Sequence, residues 1–158
     1  MLFRSLVYHI PQFTGSSLTP AHVRQLARHE TIAGMKDSSA DAERRAAFVA
    51  ATRDHEDFAV LTGHAPTLAA ALAAGADGSI TAVANVRLRQ VLALHRAVAA
   101  GSDDEVARLQ DALTRLSQGI GEVGASVPAV LKAALQFDGL LAERWCTPPL
   151  RSVPPGRL

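Results

Sequence analysis

One stretch of the sequence, residues 32–39, reads Ile32-Ala33-Gly34-Met35-Lys36-Asp37-Ser38-Ser39. A short apolar strand ends here on a lysine, and an acidic, hydroxyl-rich turn follows it. The chain contains only two lysines against fourteen arginines, so a lysine where a buried strand meets a loop indicates an amine with a chemical role. Arginine cannot take that role, because its guanidinium stays protonated and is a poor nucleophile.

The local sequence leaves two interpretations of Lys36. Between apolar strands the amine loses solvation, its charged form is disfavoured, and the free amine can attack a carbonyl carbon to form a Schiff base. Alternatively, the side chain extends from the strand end into water and has no chemical role. The local sequence by itself favours the second interpretation, and the neighbouring segments favour the first.

Composition and charge limit the classes of function. The 158 residues carry a net charge of +1, which gives no electrostatic case for binding nucleic acid or an anionic membrane. No apolar stretch reaches the ~20 residues of a membrane span, and the N-terminal residues lack the apolar core of a signal peptide. Cys146 is the only cysteine, which excludes a disulfide framework and a thiolate metal cluster. We therefore expect a reducing, cytoplasmic setting.

Strand and helix patterns alternate along the first hundred residues. We predict strands at residues 2–10, 31–35, 57–62 and 77–82. We predict the helices that follow them at residues 20–29, 40–53, 65–74 and 86–99. Such alternation indicates parallel strands joined by right-handed crossovers, with the helices outside the sheet.

The remainder of the chain, residues 101–158, is predicted to be helical and to end in a proline-rich surface tail. Ser102-Asp103-Asp104-Glu105 matches a capping box and starts a long amphipathic helix that we expect to run to about Gln118. A last helix begins at Ser126. We therefore divide the chain into four strand-helix units, residues 1–100, and a C-terminal helical extension.

Other motifs give no second functional site. Gly119-Ile120-Gly121-Glu122-Val123-Gly124 matches the dinucleotide pattern G-x-G-x-x-G, but that pattern requires a preceding strand. Here a helix precedes it, so we interpret it as a loop between helices. The histidines show no metal-ligand spacing and most are expected at the surface. His9 and His64 differ, because each lies where a strand meets its loop. Lys132, within the last helix, is expected to be solvated or to pack.

Four positions lie at predicted carboxyl ends of strands, where functional residues of parallel βα barrels cluster. They are Tyr8, Lys36, the turn Thr62-Gly63-His64, and Ile80-Thr81. Neighbouring strands lie about 4.8 Å apart, so the Tyr8 hydroxyl could reach the Lys36 amine and shuttle protons to and from a substrate oxygen. The alternative for Tyr8 is a core aromatic residue whose hydroxyl bonds to the backbone.

Together these segments resemble the dihydrodipicolinate synthase / N-acetylneuraminate lyase family of class I aldolases. Tyr8-His9-Ile10-Pro11-Gln12-Phe13-Thr14-Gly15 is similar to that family's Tyr-x-x-Pro-x-x-Thr-Gly segment. Gly34-Met35-Lys36-Asp37 is similar to its strand with Gly-x-Lys followed by Asp or Glu. Later family segments are matched by Leu61-Thr62-Gly63, Gly75-Ala76-Asp77-Gly78-Ser79-Ile80, Ala84-Asn85-Val86, Val127-Pro128-Ala129-Val130-Leu131-Lys132 and Pro148-Pro149-Leu150. The resemblance covers nearly the whole chain.

The resemblance implies an α/β fold in which this chain supplies strands 5–8 of a (β/α)8 TIM barrel and the helices after it. By this resemblance Lys36 would form a Schiff base with a 2-oxo acid such as pyruvate, and Tyr8 would relay protons. The backbone around Ile80 would line the 2-oxo acid pocket, and Thr62 and Gly63 would also bind substrate. The reaction would make or break a carbon–carbon bond next to the iminium, with no metal and no organic cofactor.

One departure from the family pattern concerns the second substrate. Family members that use aspartate semialdehyde carry an arginine in the first motif, where this chain has Phe13. An apolar ring cannot replace a bidentate carboxylate clamp. We therefore expect a reaction closer to those of the 4-hydroxy-2-oxoglutarate and sugar-acid aldolases, with Gln12, Phe13 and His64 setting the second substrate.

A second departure is length, because a complete barrel takes ~250 residues. Strands 1–4 and the family's Gly-Thr-Thr-Gly-Glu segment are missing from the sequence. Two hypotheses follow. The chain is an enzyme half that needs another copy, as a homo-oligomer, or a complementing N-terminal half-barrel; or it is a truncated, non-catalytic half-barrel or assembly module. We favour the first, with weak or no turnover of the isolated chain and association through exposed strand edges.

Overall fold

The computed structural model describes residues 4–154 and 156. This part of the chain forms two compact units that divide between Thr81 and Ala82. The N-terminal unit contains a sheet with helices, and the C-terminal unit contains helices and the tail. The division at residues 100 and 101 that the sequence suggests remains a prediction. Leu2, Phe3 and Pro155, which belong to the predicted first strand and tail, lie outside the described residues.

The N-terminal unit is built on a sheet of four parallel strands in the order β1-β2-β3-β4. The strands are β1 (Ser5–His9), β2 (Ile32–Asp37), β3 (Ala59–Thr62) and β4 (Gly78–Ser79). The helices are α1 (Pro11–Thr14), α2 (Pro20–Leu26), α3 (Ala42–Thr52) and α4 (Leu68–Ala73), with one turn of 3-10 helix at Ala65–Thr67. The predicted α/β class is confirmed.

Two local features of this unit differ from the predicted elements. Pro11 starts a short helix, α1, that was not predicted, because proline fixes a helical φ at the first position and Gly15 ends the helix with φ +66°. The fourth strand is also shorter than predicted and ends at Ser79. Ile80 lies beyond it, although its N–H still donates to the Thr62 carbonyl oxygen at 2.9 Å.

Helix α2 begins where the sequence predicts. The Thr19 hydroxyl accepts a hydrogen bond from the His22 N–H at 3.2 Å, and the His22 ring accepts one from the Thr19 N–H at 3.3 Å. Pro20 occupies the first helical turn, where its missing N–H costs nothing. This cap fixes the end of α2 from which Val23 enters the core.

The apolar core of the N-terminal unit joins the sheet to α2 and α3. Its buried members are Val23, Met35, Phe48, Phe58 and Val60. Met35 and Val60 pair across β2 and β3, so they point to the same face of the sheet. That face is therefore the dry one, covered by helices.

In the C-terminal unit three helices pack together: α5 (Ala84–Ala100), α6 (Asp103–Glu122) and α7 (Val127–Phe137). The predicted capping box at Ser102 is wrong, because the Ser102 side chain forms no cap bond and Glu105 instead pairs with Arg108. The described helices include none that is both long and apolar enough to cross a membrane. The cytoplasmic setting stays a prediction.

The loop predicted at residues 119–124 is also wrong, since α6 continues to Glu122. The buried residues Leu109, Leu113 and Ile120 form one apolar stripe on this helix. Packing of Ile120 therefore holds the last turn in spite of its two glycines. The glycine run ends a helix and does not follow a strand, so it lacks the context of a dinucleotide site.

Strands β2 and β3 approach closely at Gly34. A Cβ atom at this position would collide with the Ala59 carbonyl oxygen and lie 2.9 Å from the Ala59 nitrogen. Both neighbours are backbone atoms of the paired strand, so they cannot rotate away. The sheet therefore requires glycine two residues before Lys36.

We predict that Gly34→Ala lowers the free energy of unfolding by about 2–3 kcal/mol, because the sheet must separate to admit the methyl group. Urea denaturation followed by circular dichroism measures the change. Gly119→Ala, in α6 with open space around it, is the matched control and is expected to be neutral or slightly stabilising. Equal unfolding midpoints for Gly34→Ala and the wild type would contradict the prediction.

Candidate active site

Strands β1 and β2 place Tyr8 beside Lys36. The two residues are partners in the parallel register, and the Lys36 Nζ atom lies 4.5 Å from the centroid of the Tyr8 ring. Because paired residues of neighbouring strands point to the same face, both side chains leave the sheet on the face opposite the apolar core. The structure thus brings the two predicted side chains together, and their catalytic roles remain predictions.

The surroundings of Lys36 and Tyr8 match neither a lysine that extends into water nor a core tyrosine bonded to the backbone. The Tyr8 side chain is 52% exposed, so it is not a core aromatic residue. Its hydroxyl accepts a hydrogen bond from the Ser38 hydroxyl at 3.4 Å, not from the backbone. Lys36 is partly buried, with its amine against the ring. The hydroxyl-rich turn was visible in the sequence, but the contact of Ser38 with the phenol was not predicted.

Gly63, directly after β3, borders the lysine side chain. A Cβ atom at Gly63 would overlap the Ser38 hydroxyl oxygen and lie 2.7 Å from the Lys36 Cε atom. The Gly63 N–H donates to the Asp37 carbonyl oxygen at 2.6 Å, which holds the backbone in this place. The position of the lysine side chain therefore depends on the absence of a side chain at residue 63.

Two further predicted residues lie at the same edge but are open to solvent. Ile80 follows β4 and is 46% exposed. Phe13 lies on α1, directly after β1, and is 83% exposed. Gln12, its neighbour on α1, donates to the Ser38 carbonyl oxygen at 3.2 Å and so ties α1 to the turn after the lysine strand.

Of the other two predicted residues, Thr62 lies on the face opposite the amine, and His64 lies in the segment that follows β3. Thr62 pairs with Asp37 across β2 and β3 and is fully buried on the opposite face. The His64 Nδ1 atom lies 2.9 Å from the Thr67 hydroxyl oxygen. Burial, with a contribution from the Arg45 guanidinium and against the effect of Asp37, lowers the pKa of His64 below its usual value. A neutral His64 is therefore favoured at pH 7.

A buried charged network that the sequence did not predict lies on the face opposite Lys36. Asp37 is completely buried and is bonded by Arg45 and His9, both also buried. His9, expected to be unusual for its place at a strand end, belongs to this network, and Arg45 was not among the predicted site residues. The missed signal is Asp37 itself, because a carboxylate at the end of a buried strand requires a buried cation or donor.

Among the residues that the structure describes, no group of three His, Cys, Asp or Glu side chains could hold a metal ion. Lys132, the second lysine, donates to the Trp145 carbonyl oxygen at 2.8 Å in the C-terminal unit. Lys36 is thus the lysine that neighbours a phenol.

Comparison with known proteins finds a matching family model and relatives named as synthases and an aldolase. The model of the dihydrodipicolinate synthetase family matches residues 3–155. A 4-hydroxy-tetrahydrodipicolinate synthase of Methanospirillum hungatei is 36% identical over 103 residues, which cover 65% of this chain and 35% of that protein. An Escherichia coli protein named "Probable 2-dehydro-3-deoxy-D-pentonate aldolase YjhH" is 29% identical over 147 residues, which cover 92% of this chain and 48% of that protein. The chain therefore spans less than half the length of these relatives.

Solved structures share the fold. A dihydrodipicolinate synthase of Bacteroides thetaiotaomicron superposes with a TM-score of 0.85 at 27% identity, covering 94% of this chain and 51% of that one. YagE of Escherichia coli, of the dihydrodipicolinic acid synthase family and solved with pyruvate, gives a TM-score of 0.86 at 26% identity and covers 98% and 52%. The resemblance drawn from the motifs is confirmed, and the chain belongs to the dihydrodipicolinate synthetase family.

Proposed function

We propose that this chain carries the Schiff-base half of a lyase or aldolase that acts on pyruvate or a related 2-oxo acid. The observation that carries the proposal is the Lys36 amine lying 4.5 Å from the centroid of the Tyr8 ring, at the carboxyl ends of paired parallel strands. Family membership supports it, as do the relatives named as synthases and an aldolase and the relative solved with pyruvate.

The proposed reaction begins at the Lys36 nitrogen. The free amine attacks the carbonyl carbon of the 2-oxo acid, and loss of water from the carbinolamine gives a protonated imine. In the cleavage direction, the bond between the carbon next to the imine carbon and the hydroxyl-bearing carbon breaks, its electron pair passes into the imine to give an enamine, and the hydroxyl loses its proton as the aldehyde leaves. In the forming direction, the enamine attacks the aldehyde carbon and the aldehyde oxygen takes up a proton. Tyr8 moves the protons. Its oxygen accepts from Ser38, which leaves the phenolic proton free for the substrate oxygen.

The remaining predicted residues divide between the two substrates. We propose that Gly63 and Ile80 line the 2-oxo acid, and that Thr62 supports them from the buried face. Phe13 and His64 would contact the second substrate. Because Phe13 offers no guanidinium, the second substrate is expected to lack a carboxylate at that position, which fits an aldolase of sugar acids better than dihydrodipicolinate synthesis.

We further propose that the sheet is one part of a (β/α)8 barrel that another copy, or a complementing N-terminal half-barrel, completes. Strands β1 and β4 are the sheet edges in the described part of the chain. The face that bears Tyr8 also exposes Leu6, and Ile80 is exposed at its edge. Pairing of the β1 and β4 edges would remove unpaired strand edges, and burial of the Tyr8 face would remove an exposed apolar surface. Both features otherwise promote aggregation. No observation favours the alternative of a non-catalytic assembly module.

The central test is chemical trapping. We predict that incubation with pyruvate and borohydride attaches the reduced 2-oxo acid to the wild-type chain, as measured by intact mass, even where turnover is weak. Lys36→Arg is expected to form no adduct, because a guanidinium does not condense with the ketone. Lys132→Arg is the matched control and is expected to react like the wild type. A folded wild-type chain without an adduct would overturn the proposed function.

The close approach of Gly63 gives a second prediction. Gly63→Ala is expected to slow adduct formation about tenfold or more, because the methyl group displaces the Lys36 side chain from the Tyr8 ring. The rate is measured by quenching the trapping reaction at intervals. Gly119→Ala serves as control. If Gly63→Ala is folded and reacts at the wild-type rate, the assigned position of the amine is wrong.

The exposed sheet edges give a third prediction, on assembly. Sedimentation equilibrium is expected to show association of the wild-type chain. Leu6→Lys is expected to weaken it, because a charge on the uncovered face opposes burial. Leu88→Lys, at an exposed position on α5 in the C-terminal unit, is the control. A clean monomer at all concentrations would contradict association of the chain with itself.

A further inference from the structure

We propose that the buried carboxylate of Asp37, held between Arg45 and His9, is a positioning group that fixes the Lys36 amine against the Tyr8 ring. The group does not touch the substrate and acts through the two strand ends. The inference rests on the proposed function only in taking Lys36 as the reacting amine. The link between the network and the Lys36–Tyr8 contact does not depend on whether the chain catalyses a reaction.

Both oxygens of Asp37 are occupied by donors from different elements. Oδ1 accepts from His9 Nδ1 at 2.7 Å and from the Ser39 N–H at 3.1 Å. Oδ2 accepts from Arg45 Nε at 2.9 Å and from the Ser39 hydroxyl at 3.0 Å. These donors come from β1, the turn after β2 and α3. One carboxylate therefore ties together three elements that meet at the edge bearing the amine.

The Arg45 guanidinium extends the network beyond the carboxylate. Arg45 is 1% exposed. Its Nη1 atom donates to the Thr67 hydroxyl at 3.0 Å and its Nη2 atom to the Ser39 carbonyl oxygen. Thr67 in turn contacts His64, the residue after Gly63. The network thus also reaches the segment that follows β3 and limits the space around the lysine side chain.

Register explains how a network on one face can place side chains on the other. Tyr8 pairs with Lys36, and the next residues, His9 and Asp37, pair with each other. Successive side chains of a strand point to opposite faces. The bond from His9 to Asp37 therefore joins the two strand ends one residue beyond the reactive pair. Together with the backbone bond from the Ser38 N–H to the His9 carbonyl oxygen at 2.9 Å, it opposes separation and sliding of the strands at Tyr8 and Lys36.

The chemistry of the network indicates a role in geometry. A buried ion pair is often no more stabilising than well-packed apolar residues of the same volume, because both charges lose hydration. In addition, the His9 Nε2 atom is buried without a partner among the described residues, which is unfavourable for a polar atom. The His9 ring is instead held edge to face against Phe48, with centroids 5.5 Å apart. The network therefore contributes more to holding the ends of β1 and β2 in one geometry than to the free energy of folding.

The test replaces both charges together. Asp37→Leu/Arg45→Met keeps the volume of the buried pair and leaves no unpaired charge, so the fold is expected to survive. Arg44→Met, which removes a partly buried guanidinium that bonds Asp41 and Ser17 on the same helix and does not contact Asp37, is the control. Because the chain has one tyrosine and two lysines, the nuclear Overhauser effect between the Tyr8 ring and the Lys36 ε-methylene protons can be assigned without ambiguity. It reports the contact with no substrate present.

We expect the double variant to remain folded, to lose this Overhauser effect and to form the pyruvate adduct about tenfold or more slowly across the pH range. The control is expected to retain both properties. A folded double variant with the wild-type Overhauser effect and adduct rate would overturn the proposal. If the wild type shows the contact but forms no adduct, the proposed function fails, and the Overhauser effect alone still decides the positioning role.

A second pair of variants covers the case in which the double variant does not fold. His9→Leu leaves the Asp37–Arg45 pair intact and removes only the link to β1. We expect it to weaken the Overhauser effect, and His9→Asn to restore it, because the asparagine amide can donate from nearly the same place as the His9 Nδ1 atom. A folded His9→Leu chain that keeps the full contact would also overturn the proposal.

Discussion

The parallel pairing of β1 with β2 is the constraint on which the rest of the site depends. It sets Tyr8 opposite Lys36 on one face and His9 opposite Asp37 on the other. A slip of one residue in either strand would exchange the faces, and the amine would enter the apolar core. One backbone register therefore produces both the candidate reactive pair and the buried network behind it.

The two faces of the sheet have different roles: one holds the strands in place and the other carries the candidate reactive residues. On the helix face, Met35 and Asp37 are fully buried, the first in the apolar core and the second in a network whose donors are all fixed. On the other face, Tyr8 and Lys36 lie at the carboxyl ends of their strands, the edge from which a small molecule can approach the phenol and the amine. Rigidity on the dry face and access on the open face together suit a nucleophile that must be held in place before substrate arrives.

Sequence patterns predicted the alternating elements, the family and the pairing of Tyr8 with Lys36, because period, turn residues and motif order are local properties. They did not predict that Arg45 is buried. Which charged residue of a helix faces the sheet depends on how α3 docks, and docking is set by distant residues such as Phe58. The continuation of α6 through Gly119 was missed for the same reason, because the packing of Ile120 outweighs the low helix propensity of glycine.

The most direct test of this account is a crystal structure of the chain after reduction with borohydride in the presence of pyruvate. The account predicts continuous density from the Lys36 Nζ atom to the reduced adduct, with the Tyr8 hydroxyl within hydrogen-bond distance of the adduct. The adduct should lie next to Gly63, and the bonds from Asp37 to His9 and Arg45 should be intact. Density for an adduct on Lys132 alone, or an unmodified Lys36 turned away from Tyr8, would contradict it.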